Sequence, residues 1–248
     1  MKNIHLLFWL LILVFFSCKK ENNKCQIKAG NITTKTEVLS AFDGIKVGQD
    51  FQIYLTQDST IPEQIIMEYG ENILPFIETK ISNGILEIKD NTNCDWLRKY
   101  NQPPKITINT HQLKSVYLMA NATLECLDTL FWHDTNIEFY VKNESTGQSN
   151  WKVNMNRFTI NAYGLGEINV EGKINIFVPV SYGAGKINAQ NAAGAFVFVF
   201  HYGINEIKVK PIVELGVSIY NAGNVFYYSA PAKPVSLTLI GSGKLEKK

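Results

Sequence analysis

Five short stretches near the C-terminus share one pattern: "AYGLGEINV" at 162–170, "SYGAGKINA" from Ser181, "HYGINEIKV" from His201, "YNAGNVFY" from Tyr220 and "IGSGKLEK" from Ile240. Gly164, Gly183, Gly203, Asn221 and Gly241 hold the same place in successive units, at separations of 19, 20, 18 and 20 residues. Ser145-Thr146-Gly147 and Ala120-Asn121-Ala122 read as weaker copies. A fixed period near 20 in a strand-rich chain is the mark of a solenoid, whose units bury their apolar faces only by stacking. The pattern predicts an all-β, single-stranded parallel β-helix with about 20 residues per coil.

Such a helix turns one corner per coil at the same place. Stacking the coils about 4.8 Å apart leaves little room there for side chains, and glycine also reaches positive φ. The aliphatic residue after each corner (Ile168, Ile187, Ile207, Val225, Leu245) is expected to form an inward column. The residue before it reads Glu167, Lys186, Glu206, Asn224, Lys244, an alternating ladder in which neighbouring opposite charges contribute roughly 0.2–1 kcal/mol per pair.

Upstream, residues 42–89 alternate with period two and are broken by Gly, Asn, Pro and Asp. They predict short strands, a hairpin at Ser82-Asn83-Gly84, and at most one helical turn in "ENILPFI", limited by Pro75. Lys2 followed by the apolar run Ile4–Phe16 is too short to cross a bilayer and reads as an export signal. Ser17-Cys18 at its end is similar to the lipobox of bacterial lipoproteins, which implies a signal at 1–17 and acylation of Cys18. Residues 18–40 read as a polar tether and 41–248 as the folded domain. An oxidising destination makes Cys94 and Cys126 a candidate disulfide, with Cys25 left in the tether; two separate buried thiols remain the alternative.

"FDGIKVGQDFQIYLTQ", "IIMEYGENILPFIETKISNGILEIK", "PPKITINTHQLKSVYLMANATLE" and the "YGLGEI" and "YGAGKI" corners resemble the bacterial family called "putative auto-transporter adhesin, head GIN domain", over roughly Phe42 to Lys244. The resemblance implies a parallel β-helix in a lipid-anchored envelope protein of a Gram-negative bacterium, at the outer membrane. It names no catalytic residue and no ligand.

Net charge is +2, from 24 basic and 22 acidic residues without long runs, which offers nucleic acid no electrostatic footprint. The four histidines are dispersed, no cysteine pair has zinc-site spacing, and no phosphate loop precedes a helix, so neither a metal nor a cofactor is expected. Glu167, Lys186 and Glu206 are the one charged cluster that resembles a polysaccharide-cleaving site, but lysines beside carboxylates keep them ionised and favour structural pairing.

The strands entering the corners carry the remaining candidate. One parity suits a core throughout. The other is polar in the outer coils but reads Val178, Val180, Tyr182 and Phe198, Phe200, Tyr202 in the middle ones, flanked by Tyr163 and Tyr220. Either a bulge shifts parity, or another segment covers this face, or it is a recognition surface for a glycan, a protein or a second copy. A non-enzymatic adhesion module is thus expected, with a carbohydrate-active enzyme or a structural envelope protein as the competing readings.

Overall fold

The computed structural model describes residues 28–92, 102–132 and 138–248. The first 27 residues, with Cys18 and Cys25, lie outside the described residues, as does Cys94. The described chain is all-β, its helical content a 3-10 turn at Leu74–Phe76 that holds Pro75 in its first positions. Among the described residues eighteen strands form one mostly parallel sheet. No described helix is long and apolar enough to cross a membrane.

Four long strands carry the C-terminal half: Ser149–Ala162, Ile168–Ser181, Ile187–His201 and Glu206–Ile219. Each pairs in parallel with the next, and Ile168 meets Ile187, Ile187 meets Ile207, Ile207 meets Val225 and Val225 meets Leu245. The register therefore steps by the corner repeat itself. A straight strand of 14 residues would span roughly 45 Å, and the short corners between strands reach only about 20 Å. Parallel pairing of consecutive strands thus requires each one to curl back over its own length, and the sheet curls.

Ile168, Ile187, Ile207 and Val225 are fully buried, as the inward column requires; Leu245, on the last strand, is half-buried. The core runs from Phe42 to Val225, with Trp151, Phe51, Phe158 and Phe177 as its largest members. Phe158 stacks on Phe177 at 5.9 Å and meets Trp151 at 6.0 Å, which adds about 0.5–1.5 kcal/mol per pair to their burial. At the C-terminal end Leu237 and Leu239 occupy core parity but stand 47% and 53% exposed, because Ser236–Leu239 pairs on one side alone.

The N-terminal half does not follow the simple repeat. Gly44–Val47 sits between Ile85–Asp90 and Ser115–Leu118, and Gln52–Thr56 between Lys105–Asn109 and Thr123–Cys126, all in parallel but out of chain order. Antiparallel pairs then finish that end: Ile77–Ser82 on Ile85–Asp90, and Gln64–Gly70 on Lys105–Asn109. The hairpin at Ser82↔Ile85 turns through Asn83 and Gly84, both at positive φ (52° and 76°), the signature of a type I′ turn. Ile32–Val38, inside the segment expected to be a tether, is a strand antiparallel to Gln64–Gly70. Its β-branched "ITT" start and the free side of that neighbour account for the difference.

Of the two reasons expected for the corner glycines, lack of room holds and positive φ does not. Among the described residues, glycines at positive φ are Gly30, Gly84 and Gly172, none of them at a repeated corner. Clearance is what the corners demand. A Cβ on Gly166 would lie 2.0 Å from the Gly147 carbonyl oxygen, and one on Gly185 would lie 2.2 Å from that of Gly166.

Candidate functional site

Each long strand delivers a tyrosine to the start of its corner. The backbone N–H of Tyr182 donates to the Ala162 carbonyl, that of Tyr202 to Ser181 and that of Tyr220 to His201, each at 2.8 Å. Backbone stacking at this spacing fixes the distance between the rings, and they lie face to face. Tyr163 and Tyr182 have centroids 4.6 Å apart and planes 3° from parallel; for Tyr182 and Tyr202 the values are 5.0 Å and 4°, and for Tyr202 and Tyr220 4.4 Å and 7°. The column is nevertheless open to solvent, from 37% at Tyr202 and Tyr220 to 45% at Tyr182. Lys142 places Nζ over the outer face of Tyr163 at 5.4 Å, its charge paired with Glu144 at 2.7 Å.

Ring faces are therefore spent on one another, and a partner meets ring edges and hydroxyls. Partial burial, and then the neighbouring phenols, raise the pKa values of Tyr182 and Tyr202 above the ordinary tyrosine value, so these two hydroxyls stay protonated at physiological pH.

The other four residues of the expected face are placed differently. Val180 is buried, paired in register with Phe200; Val178, Phe198 and Phe200 are half-buried. Phe198 lies against Gly216 on the next strand, where an added Cβ would come within 3.0 Å of its ring. The tyrosines thus form the exposed margin of an apolar strip that is partly covered behind them.

Leu165 and Ile204, at the corner tips, are both 66% exposed, and Ile240, which continues the tyrosine column, is 67% exposed. The sequence reading did not single out Leu165 and Ile204. The available signal was their place between the two small residues of "YGLG" and "YGIN", the outermost point of the turn.

The charge ladder is partly realised. Glu206 lies 3.8 Å from both Lys186 and Lys208, Glu167 accepts a hydrogen bond from Asn188, and Asn224 caps the Lys244 N–H at 2.9 Å. Among the described residues no three His, Cys, Asp or Glu side chains gather as a metal site would need. Cys126 is buried in the core, and that burial pushes its thiol up to about 12, far from a reactive thiolate.

The family described as "Putative auto-transporter adhesin, head GIN domain" matches residues 41–231. Among solved structures, a "putative adhesin" from Bacteroides fragilis is similar at a TM-score of 0.78 and 18% identity, covering 88% of this chain and 97% of that one. A "putative lipid binding protein" from Parabacteroides distasonis gives 0.65 and 19%, with 88% and 97% covered. A "putative adhesin" from Parabacteroides merdae gives 0.64 and 18%, with 88% and 98% covered. At such identities the likeness speaks for the fold. No curated protein matches the chain.

Proposed function

The chain belongs to the auto-transporter adhesin, head GIN domain family, and from that premise we propose that it is a non-catalytic binding module of the bacterial cell envelope. It is tethered to the outer membrane by acylation of Cys18. Its curled sheet is a parallel β-helix of about 20 residues per coil, and it engages a protein partner or a second copy along one side.

The observation that carries this reading is the column of four stacked, half-open tyrosines with Leu165, Ile204 and Ile240 beside it. A row of rigid amphipathic side chains contributes large contact area at low entropic cost. Because the faces are already stacked, the edge suits a protein surface better than a sugar ring that needs a free aromatic face. The enzyme reading is disfavoured because Glu206 lies 3.8 Å from both Lys186 and Lys208, the ion pairing of a structural ladder.

The test is adhesion and aggregation of cells that carry the full-length protein. The double variant Tyr182→Ala/Tyr202→Ala should reduce both relative to wild type at equal surface level. Unchanged adhesion and aggregation would remove the tyrosine edge as the site.

A further inference from the structure

The sheet finishes differently at its two ends. The N-terminal end closes on antiparallel strands, and Ile32–Val38 at its margin carries Lys35 and Glu37 joined as an ion pair. Charges of this kind are how an edge strand resists pairing with another chain. The C-terminal end has neither device. Ser236–Leu239 pairs in parallel with residues 216–219 and, among the described residues, with no strand on its other side. No charge occurs anywhere in 234–243, and Pro234 precedes the strand without interrupting it.

This edge carries two unmet demands. Leu237 and Leu239 pair in register with Val217 and Ile219, which are buried, yet they stand 47% and 53% exposed themselves. They hold the core side of the sheet, and only a further strand would cover them. The backbone makes the second demand. Ile240 donates its N–H to the Ile219 carbonyl at 2.9 Å, so its backbone faces the neighbouring strand. Successive residues of a strand turn their N–H and C=O groups to opposite edges, which turns those of Leu237 and Leu239 outward.

An edge of this kind is met by a strand, and we propose that the strand is the same one from a second copy, so that Ser236–Leu239 is a dimer contact separate from the tyrosine edge. The segment is self-complementary. Set antiparallel about Thr238, Leu237 of one copy falls opposite Leu239 of the other, and the outward N–H and C=O groups of the two pairs exchange hydrogen bonds. Thr238 then faces its own counterpart at a non-hydrogen-bonded position, where threonine pairs are favourable. The leucines of both copies meet on the core side, so each chain covers the open end of the other. The charged, antiparallel N-terminal edge offers no such match, so the contact closes as a two-fold pair and does not propagate into a fibre.

The experiment uses the full-length protein in a density-matched detergent, its mass read by sedimentation equilibrium over a concentration series. A dimer is expected. Leu237→Lys/Leu239→Lys should weaken it about tenfold or more, since edge lysines oppose strand pairing, and Tyr182→Ala/Tyr202→Ala should leave it unchanged, so this contact and the tyrosine edge can fail separately. Thr238→Cys reads the same contact without disturbing the edge. Cα atoms at a non-hydrogen-bonded pair lie about 4.5 Å apart, within disulfide range, so mild oxidation should give a covalent dimer. Ser59→Cys, in an exposed turn of the N-terminal half, should not. A protein that stays monomeric throughout, a dimer that survives the two lysines or is lost with the tyrosines, or a Thr238→Cys protein that cross-links no better than Ser59→Cys would each overturn the proposal.

Discussion

Tyr182 lies face to face with Tyr202, centroids 5.0 Å apart and planes 4° from parallel, while both rings stay more than one-third exposed. Such a pair contributes little burial, so its removal should be mild. Tyr182→Ala/Tyr202→Ala breaks three stacked contacts, which at the low end for aromatic pairs amounts to about 1–2 kcal/mol. In a domain of this size each kcal/mol moves Tm by about 2–4 °C. Phe158→Ala in the core should instead cost about 3–5 kcal/mol. Thermal unfolding followed by circular dichroism compares the two, and a Tyr-pair loss as large as that of Phe158 would place these rings in the core.

The same column should respond at high pH. Tyr182 and Tyr202 have pKa values raised by partial burial and by their phenolic neighbours. The unfolded chain then releases these protons first. The contribution is fully present below the ordinary tyrosine value of about 10 and is lost as pH rises through the folded values. Phenolate absorbance should show part of the tyrosine population titrating late in the native protein and at the ordinary value in denaturant.

His201 makes the opposite prediction in acid. It is fully buried, its Nδ1 accepts the Gly203 N–H at 3.3 Å, and its Nε2 lies 2.9 Å from the Asn205 carbonyl oxygen and donates to it. The ring is therefore neutral with its proton on Nε2, and a second proton would set two donors against each other. Burial lowers its pKa below the usual value, with the Asn205 hydrogen bond opposing. A depressed histidine is fully stabilising above the unfolded value of about 6.5, and that stability falls as pH drops below it, because the unfolded chain binds the proton first. Urea unfolding from pH 7.5 to 5 should show this loss in wild type and a flatter profile in His201→Gln.

The C-terminal half was legible because one signal, the corner at 164, 183, 203, 221 and 241, is also the register of the sheet. Outside that repeat the same logic had nothing to read. Gly44–Val47 pairs with Ser115–Leu118 across some 70 residues of chain, and neither segment carries a local mark of the other. The tyrosines were found by parity, but parity alone could not say that Val180 is buried while Tyr182, two places on, is open. The side-chain amide ladder of Asn150, Asn169 and Asn188 hid in plain view at 19-residue spacing, since Asn reads first as a turn residue. The bulge at Gln190-Asn191-Ala192 in the strand Ile187–His201 has no glycine to announce it.

The proposed export and anchoring rest on Ser17-Cys18 after a short apolar run. A single acyl chain holds a protein only marginally, whereas two or more hold it firmly, at about 0.8 kcal/mol per buried methylene. Cys18→Ala should abolish palmitate labelling and move the mature protein from the membrane to the soluble fraction. Continued labelling of the variant would place the modification elsewhere.

The corners allow the sharpest test of what the repeat is for. A methyl group on Gly185 would sit 2.2 Å from the Gly166 carbonyl oxygen, which is backbone of the preceding corner and cannot step aside. The two corners would have to separate there, loosening the Ile168↔Ile187 pairing just beyond. Gly185→Ala should therefore cost about 1–3 kcal/mol, the usual penalty for forcing a methyl into filled space. Gly48 supplies the control, since a Cβ there meets nothing within 4 Å and its φ is not positive. Gly48→Ala should be neutral or stabilising by about 0.4–1 kcal/mol, because it restricts the unfolded chain without disturbing the folded one. Chemical denaturation of both variants reads the difference, and a Gly185→Ala protein as stable as wild type would show that the corner glycines do not set the spacing of the strands.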